Sequence, residues 1–375
     1  MNNTTQYHEQ LIKFGNLITE NGKQADEAKN ISHKNYDILK EMKFFSGLVP
    51  KELGGGNLTF AQMCDLLKKL AHFHPSTALS VSMHQHIISA NIYNHKHNKP
   101  GQAVLEKVAK NELVLISTGA GDWLASNGEL TKTEGGFYLT ATKHFASGCQ
   151  QGDVLITSAP YKDKEAGWQV LHFPVPINTM GLKILDNWHP MGMRGTGSNS
   201  IQFENVFIPE ASIALKRSRG DFHAIWCTVL PVALPLIMSV YLGIAETAAT
   251  KAKLQCKASL DPTTPYILGE MENALITAQI VVNDMVRICD EFNFSATQQT
   301  VNEMIKRKTV AATHCKRVAL KAIEACGGPG YLSFLGLECL LRDVMASHFH
   351  PMQEKRQLLF TGMLAMDKEP PSQIF

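Results

Sequence analysis

Residues 342 to 351 read RDVMASHFHP and combine side-chain types that can move a proton. An Arg-Asp pair is followed by His348 and His350, and Pro351 closes the stretch. An imidazole has an unperturbed pKa of about 6.5, which suits a general base near neutral pH. By spacing alone, a histidine at the end of a helix equally well complements the helix dipole. On a helix, His348 and His350 would point to different faces, so they would not serve one site together.

Two other histidine pairs, His84 with His86 and His95 with His97, lie in the N-terminal part of the chain. Side chains two positions apart on a helix diverge, and no Asp, Glu or Cys one turn away completes a set of metal ligands. We therefore expect no metal site. One member of the first pair could still face a substrate cavity, and we take His84 as the candidate.

The glycine-rich stretch GMRGTGSNS, residues 192–200, resembles a phosphate-binding loop only superficially. It lacks the Gly-Lys-Ser/Thr ending, and no helical pattern opens after it. The stretch therefore predicts a bend between two strands.

The overall composition excludes some classes of partner. Lys and Arg number 36 against 34 Asp and Glu, so charge gives no reason to expect binding to nucleic acid or to an anionic membrane. The eight cysteines include no CxxC pair, and the N-terminus lacks the pattern of a signal peptide. We expect reduced thiols and a cytoplasmic location.

The longest apolar run, Cys227 to Ala245, is about as long as a membrane span. Pro231, Pro235 and several polar residues interrupt it. We expect a buried helix.

The hydrophobic pattern changes twice along the chain. Residues 1–112 show a helical period, residues 113–215 show short alternating runs typical of an antiparallel sheet or barrel, and residues 216–375 are helical again. This order predicts an α+β protein, mainly α, with three domains at those boundaries. It is not the alternating order of a Rossmann fold.

Four motifs in the same order resemble the acyl-CoA dehydrogenase superfamily of flavoproteins. They are VPKELGGG, GGFYLTATKHFASG, WHPMGMRGTGSNSIQFENVFIPE and ACGGPGYLSFLGLECLLRD. The resemblance implies an N-terminal helical domain, a central β-barrel-like domain and a C-terminal four-helix bundle. It also implies a bound flavin, FAD with FMN as the alternative, and a homotetramer or dimer.

The resemblance places the flavin ring against Phe145, Ala146 and Ser147. An aromatic side chain can shield one face of the ring, and a serine hydroxyl can donate a hydrogen bond to its N5 or O4 edge.

Further cofactor contacts are implied elsewhere. Ser117 and Thr118 match the family's contacts to the pyrimidine edge of the flavin, although the surrounding motif is altered. Gly327 and Gly328 match paired glycines that let a neighbouring subunit's dinucleotide approach closely. The family's Arg-containing segment for the cofactor pyrophosphate is missing from residues 256–271, so one bidentate contact is lost.

The chain departs from the family at the catalytic base. A dehydrogenase needs a carboxylate to remove the substrate's α-proton, and the two places where relatives carry this Glu are Pro351 and Ala233 here. Glu354 is a conceivable replacement, but one helical turn displaces a side chain by about 5 Å.

These departures resemble the branch of two-component flavin monooxygenases. The FASGC segment, residues 145–149, and a histidine eight residues after Arg342 are features of that branch, and that histidine is His350. The branch implies that reduced flavin, supplied by a flavin reductase or electron-transfer partner, reacts with O₂ to oxygenate a small organic substrate. His350 would then be the base and Ser147 the support for N5. An acyl-CoA dehydrogenase with a displaced base and a non-catalytic flavin-fold binding module are the alternatives.

Overall fold

The computed structural model describes residues 3–119, 122, 125–220 and 222–371. The N-terminal helices are α1 (Asn3–Glu27), α2 (His33–Glu41), α3 (Phe60–Phe73), α4 (Pro75–Lys96) and α5 (Gln102–Asn111). The strands are β1 (Leu115–Ser117), β2 (Glu129–Thr133), β3 (Gly136–Lys143), β4 (Val154–Asp163), β5 (Gly167–Pro176), β6 (Leu182–Ile184), β7 (Ile201–Pro209) and β8 (Leu215–Ser218). The C-terminal helices are α6 (Ile225–Cys256), α7 (Thr264–Cys289), α8 (Gln298–Cys326), α9 (Gly328–Tyr331), α10 (Leu337–Met345) and α11 (Glu354–Ala365).

This order of helices, strands and helices confirms the predicted fold class. The predicted change from helical to strand pattern at residue 113 falls between α5 and β1. The predicted return to helix at residue 216 falls inside β8. The three domain boundaries themselves remain a prediction.

The strands form two four-stranded sheets within the described residues, ordered β1-β4-β5-β8 and β2-β3-β7-β6. Most neighbours are antiparallel, as expected, but β1 runs parallel to β4. The prediction of a purely antiparallel sheet was wrong there because β1 is a three-residue edge strand, too short for alternation to show its direction.

The pairing of β3 with β7 determines which loops meet. Lys143, the last residue of β3, lies opposite Ile201, the first residue of β7. Because the strands are antiparallel, the segment after β3 lies beside the segment before β7. The FASG and GTGSN motifs are thus brought together.

The long apolar run lies in α6, as predicted. In the described part of the chain α6 is the one helix apolar and long enough to cross a membrane, yet 94% of its most apolar window is buried inside the protein. A Cβ added at Gly243 would lie 2.5 Å from the carbonyl oxygen of Lys68, so α3 approaches the α6 backbone closely. The burial and close contact identify a core helix.

The last part of the helical domain is broken. Helix α10 has only nine residues, a 3₁₀ turn covers Ala346–His348, and regular helix resumes at Glu354. The irregular stretch between these helices carries His350 and Pro351, whose side chains line the cavity described next.

Candidate active site

A cavity of about 640 Å³ lies where the N-terminal helices, the sheets and the C-terminal helices meet. Its walls come from α4, the end of β1, the segment after β3, the bend before β7, α6 and the stretch after α10. Predicted site residues that line it are Ser117, Thr118, Phe145, Ser147 and His350. The fold therefore gathers these distant positions around one space.

Phe145 is held in an unusual conformation beside the cavity. Its backbone φ is 58°, in the left-handed region that costs energy for a bulky residue. Its side chain is 63% exposed and meets Trp188 edge to face, with ring centroids 6.1 Å apart. An exposed aromatic face fixed in this way can be covered by a flat apolar ring.

Backbone hydrogen bonds fasten the FASG segment to the glycine-rich bend. The amide of Ala146 donates to the carbonyl oxygen of Asn199 across 3.2 Å, and that of Gly148 donates to Thr196 across 2.9 Å. Ala146 is fully buried and does not line the cavity. The prediction that Ala146 binds the cofactor is therefore corrected, because its methyl and amide are used within the protein.

Three hydroxyl groups form a chain that ends on a carbonyl. Ser147 Oγ lies 2.8 Å from Ser198 Oγ, which lies 2.8 Å from Thr196 Oγ1, and Thr196 donates to the carbonyl oxygen of Met193 across 2.9 Å. A carbonyl only accepts, so Ser198 donates to Thr196 and Ser147 donates to Ser198. The Ser147 hydroxyl hydrogen is thereby used, and its oxygen is left to accept a hydrogen bond from the cavity side.

The end of β1 is attached to the same region. Ser117 and Thr118 line the cavity, and the amide of Gly119 donates to the carbonyl oxygen of His144 across 2.8 Å. Thr118 Oγ1 also lies 3.3 Å from Thr157 Oγ1 on β4. These bonds hold both residues next to Phe145.

His350 lines the cavity from the irregular stretch after α10. Its Nε2 lies 2.7 Å from the hydroxyl oxygen of Tyr241 on α6, and burial, followed by the nearby Lys308 ammonium, lowers the pKa of His350 to about 3. Lys308 Nζ donates to the carbonyl oxygens of His350 and Met352 across 2.8 and 3.2 Å. The imidazole is therefore neutral near pH 7 and fixed in place.

The structure corrects the choice between His84 and His86. His84 Nε2 lies 2.9 Å from the carbonyl oxygen of Phe45, and its Nδ1 accepts from the Leu115 amide across 2.9 Å. Both ring nitrogens are thus used within the protein, Nδ1 on β1 and Nε2 on the segment between α2 and α3, and His84 does not line the cavity. His86 does line it, and burial lowers its pKa to about 4.

Arg342 and Asp343 have separate hydrogen-bond partners. Arg342 Nη1 donates to the carbonyl oxygen of Met191 across 3.1 Å, and a carboxylate oxygen of Asp343 accepts from the Met193 amide across 2.5 Å. Burial raises the pKa of Asp343 to about 7. Both residues attach α10 to the glycine-rich bend, and the Arg342 side chain also lines the cavity.

Comparisons with known proteins agree on one family. Residues 14–112 match the family model of the acyl-CoA dehydrogenase N-terminal domain. The chain is 26% identical over 382 residues to the oxygenase component of p-hydroxyphenylacetate 3-hydroxylase from Acinetobacter baumannii, covering 94% of this chain and 87% of that one. It is 23% identical over 366 residues to mitochondrial isovaleryl-CoA dehydrogenase from Arabidopsis thaliana, covering 90% and 85%. The chain is thus similar to the acyl-CoA dehydrogenase superfamily along most of its length.

The fold agrees with this similarity. The solved structure of KijD3, in complex with FMN and a dTDP-linked amino sugar, superimposes with a TM-score of 0.88 at 20% identity, over 99% of this chain and 95% of that one. The predicted resemblance is confirmed, and the protein is a flavin-dependent oxidoreductase.

The cavity of this protein fits a flavin. It offers the exposed face of Phe145, the acceptor oxygen of Ser147 and the polar edge at Ser117 and Thr118. These groups suit one face, one edge nitrogen and the pyrimidine edge of an isoalloxazine ring.

The two family positions for a catalytic carboxylate line this cavity without supplying one. Ala233 on α6 and Pro351 after α10 both form part of the wall, and no Asp or Glu does so among the described residues. Glu354, the conceivable substitute, is 44% exposed and lies outside the cavity lining. The described lining therefore offers no acidic group to remove a substrate proton.

Gly327 and Gly328 lie away from this cavity. Both are exposed, and a Cβ added to either would meet no atom within 4 Å. Their predicted role involves a neighbouring subunit, and it stays a prediction.

Several site residues escaped the sequence reasoning, and two of them left a signal. Tyr241 is a polar residue inside a buried run, which must find a hydrogen-bond partner. Lys308 follows Val301, Met304 and Ile305 at helical spacing on the buried face of α8. Ser198 and Thr196 gave no such signal, because serine and threonine are ordinary residues in a bend.

Proposed function

We propose that this protein is an oxygenase that uses reduced flavin to transfer one oxygen atom of O₂ to a small organic substrate. The observation that carries the proposal is the pair Ala233 and Pro351, which line the cavity where dehydrogenases of the family carry their base. Without a carboxylate at either place, abstraction of an α-proton from an acyl-CoA has no agent. Oxygen transfer to an electron-rich substrate needs none.

The direction of the hydroxyl chain supports the use of reduced flavin. Ser147 Oγ is left as an acceptor because its hydrogen goes to Ser198. An acceptor complements an N–H group, and the flavin ring carries a hydrogen on N5 only when reduced. This differs from the donor role first expected for Ser147.

The remaining groups of the chain would bind and shield. Phe145 would cover one face of the flavin, and Ser117 and Thr118 would meet its pyrimidine edge. When bound and reduced, the flavin supplies the electrons that activate O₂. Apolar residues such as Leu79, Met83 and Ile237 form much of the wall and exclude water from the reacting groups.

A separate flavin reductase is the partner that this function requires. The relative from Acinetobacter baumannii is itself named as the oxygenase component of its hydroxylase, which supports a division of labour between two proteins. Reduced flavin would be made by the reductase and captured in the cavity.

A homo-oligomer, tetramer or dimer, is supported by apolar surface on the C-terminal helices. Exposed side chains near the paired glycines include Tyr331 at 84%, Leu332 at 54% and Phe334 at 68%. A contiguous apolar patch of this kind is typical of an interface. Light scattering of the purified chain tests this part of the proposal.

The experiment for the main proposal is an oxygen-transfer assay. We would mix the chain with FMN, a general flavin reductase and NADH under isotopically labelled O₂. The trial substrates are p-hydroxyphenylacetate, which appears in the name of the Acinetobacter baumannii relative, and dibenzothiophene, which appears in the name of a second relative, dibenzothiophene monooxygenase. Mass spectrometry should find labelled oxygen in one of the products. Product formed equally without the chain, or acyl-CoA oxidation in place of oxygen transfer, would reject the proposal.

A further inference from the structure

Tyr241 holds a buried hydroxyl group with one place to put its hydrogen. The residue is fully buried on α6, and its hydroxyl oxygen lies 2.7 Å from His350 Nε2. No other acceptor bonds it among the described residues, and a buried O–H group left unpaired costs free energy. Burial also raises the pKa of Tyr241 well above its ordinary value, so the phenol keeps its hydrogen. Tyr241 therefore donates to Nε2.

This bond decides which nitrogen of His350 carries the proton. A neutral imidazole has one N–H and one bare nitrogen, and the bare one must be the atom that accepts. Because Nε2 accepts from Tyr241, the hydrogen of the neutral ring sits on Nδ1. Burial keeps the ring neutral, as its lowered pKa shows.

The Nδ1 hydrogen of His350 has no protein acceptor among the described residues. Among the described residues, the buried ring nitrogens without a hydrogen-bond partner include His348 Nε2 and His86 Nδ1 but not His350 Nδ1. Since His350 lines the cavity, a bound ligand is the remaining partner for Nδ1.

Lys308 fixes the backbone that carries this ring. Its buried ammonium donates to the carbonyl oxygens on both sides of Pro351, those of His350 and Met352. No carboxylate forms an ion pair with it among the described residues; Glu354 only favours its charged form from a distance. Because the buried Lys308 ammonium bonds two backbone carbonyls, it makes the stretch from His350 to Met352 more rigid.

We propose that Tyr241 and Lys308 are positioning residues that turn His350 into a hydrogen-bond donor facing the cavity, so that the site selects a ligand presenting an acceptor oxygen at this point. This proposal concerns the ligand of the same cavity, and it therefore rests on the proposed oxygenase function. It replaces the sequence-based hypothesis that His350 is a general base, because a base would need a bare nitrogen toward the substrate.

The charges around the cavity favour an anionic acceptor. Arg342 and Arg356 line the cavity, and no Asp or Glu joins them in the described lining, although Asp26 lies 3.9 Å from Arg342 Nη2 outside it. A carboxylate or phenolate oxygen would meet a donor and the positive charge of Arg356, with a smaller contribution from Arg342, whose charge Asp26 partly offsets. A carbonyl oxygen of the flavin offers the same acceptor chemistry, so the two sources must be separated by experiment.

The tautomer can be read directly. In nitrogen NMR spectra of the full chain labelled at histidine, subtraction of the His350→Gln spectrum isolates the His350 signals. We expect Nδ1 to be protonated and Nε2 bare in the unmodified chain, and the Tyr241→Phe variant to populate the opposite tautomer. A protonated Nε2 in the unmodified chain would overturn the proposal.

Ligand binding separates the sources of the acceptor. Without flavin, benzoate should bind the unmodified chain, and Tyr241→Phe should weaken it roughly three- to tenfold, because the ring must then change tautomer to donate. If the flavin is the source, Tyr241→Phe should weaken FMN by a similar factor and leave benzoate unchanged. Unchanged affinity for both ligands would reject the donor role, whatever the oxygen-transfer assay shows.

Tyr7→Phe is the matched control. It removes another buried phenol hydroxyl, which donates to the carbonyl oxygen of Lys43 across 3.0 Å. Tyr7 and Lys43 are far from the cavity residues in the sequence. A merely structural effect of losing a phenol would appear in both variants as reduced stability. Only Tyr241→Phe should change the tautomer of His350 and the binding of benzoate or FMN.

Discussion

The carboxylate of Asp343 accepts a hydrogen bond from the amide of Met193 across 2.5 Å and thereby joins α10 to the glycine-rich bend. The bend carries Thr196 and Ser198, two members of the hydroxyl chain that determines the role of Ser147. Asp343 on α10 thus helps to fix the bend and, through Thr196 and Ser198, the hydroxyl group of Ser147.

Loss of the Asp343 carboxylate should destabilise the bend. Asp343→Ala leaves the Met193 amide buried without an acceptor, which should lower the free energy of unfolding by about 1–3 kcal/mol. Asp343→Asn keeps an acceptor oxygen and should lie near the unmodified chain below pH 7, since burial raises the pKa of Asp343 to about 7. Chemical denaturation measures both. Asp65→Ala, which removes a half-exposed carboxylate, is the control and should change stability little; equal losses in all three would contradict the assignment.

Ser147→Ala should weaken the binding of reduced flavin more than that of oxidised flavin. The substitution removes the oxygen that accepts from the reduced ring, a net loss of about tenfold in affinity. The reduction potential of the bound flavin should therefore fall relative to the unmodified chain. Ser239→Ala is the control, because its hydroxyl donates to the Pro235 carbonyl and does not line the cavity. Equal weakening of both redox states would argue against the acceptor role.

The buried histidines predict loss of stability in acid. Burial lowers the pKa of His74, His84 and His86 to about 4, and that of His172 and His350 to about 3. Between those values and about 6.5 the unfolded chain binds more protons than the folded chain, so stability falls as the pH is lowered through this window. Denaturation curves between pH 7 and about pH 4 measure the slope.

One substitution isolates the contribution of His350 to that slope. The His350→Gln variant should show a shallower fall in stability with decreasing pH, because one depressed pKa is removed. Asp343 changes this slope in the opposite direction, because its raised pKa favours the folded state in acid. The several buried histidines outweigh this one carboxyl group. A chain equally stable at pH 7 and pH 4 would show that the buried imidazoles do not titrate as described.

FMN and FAD should bind with similar affinity. The segment between α6 and α7 lacks the arginine that grips a pyrophosphate in relatives, and Leu260 at its centre is 98% exposed. The adenylate half of FAD then gains little from the protein, and the ring contacts shared by both cofactors dominate. Titration followed by flavin fluorescence tests this expectation, and an FAD affinity a hundredfold above that of FMN would refute it.

The sequence predicted the order of elements and several residues of the cavity wall, because both depend on local patterns. Alternation marked the strands, and the FASG motif placed Phe145 and Ser147 at the end of one of them. The choice of His84 over His86 was wrong because two buried histidines on one helix differ only in what their faces meet. That information belongs to the packing of α4 against other elements.

The role of His350 also depended on tertiary structure. Its partner Tyr241 is 109 positions away in the chain, and no pattern in either segment indicates the contact. Spacing after Arg342 correctly suggested that the residue lines the cavity, whereas its protonation follows from a bond that only the fold creates. Lys308 could have been found, since a lysine on an apolar helix face must be buried or functional.

Anaerobic titration of the flavin-loaded chain with acyl-CoAs tests the central claim most directly. Isovaleryl-CoA and butyryl-CoA are added in excess while the visible absorbance of the oxidised flavin is recorded. With Ala233 and Pro351 in place of a base, we predict that the absorbance stays constant over a time in which dithionite reduces the same flavin completely. Bleaching of the flavin by either acyl-CoA would contradict the account.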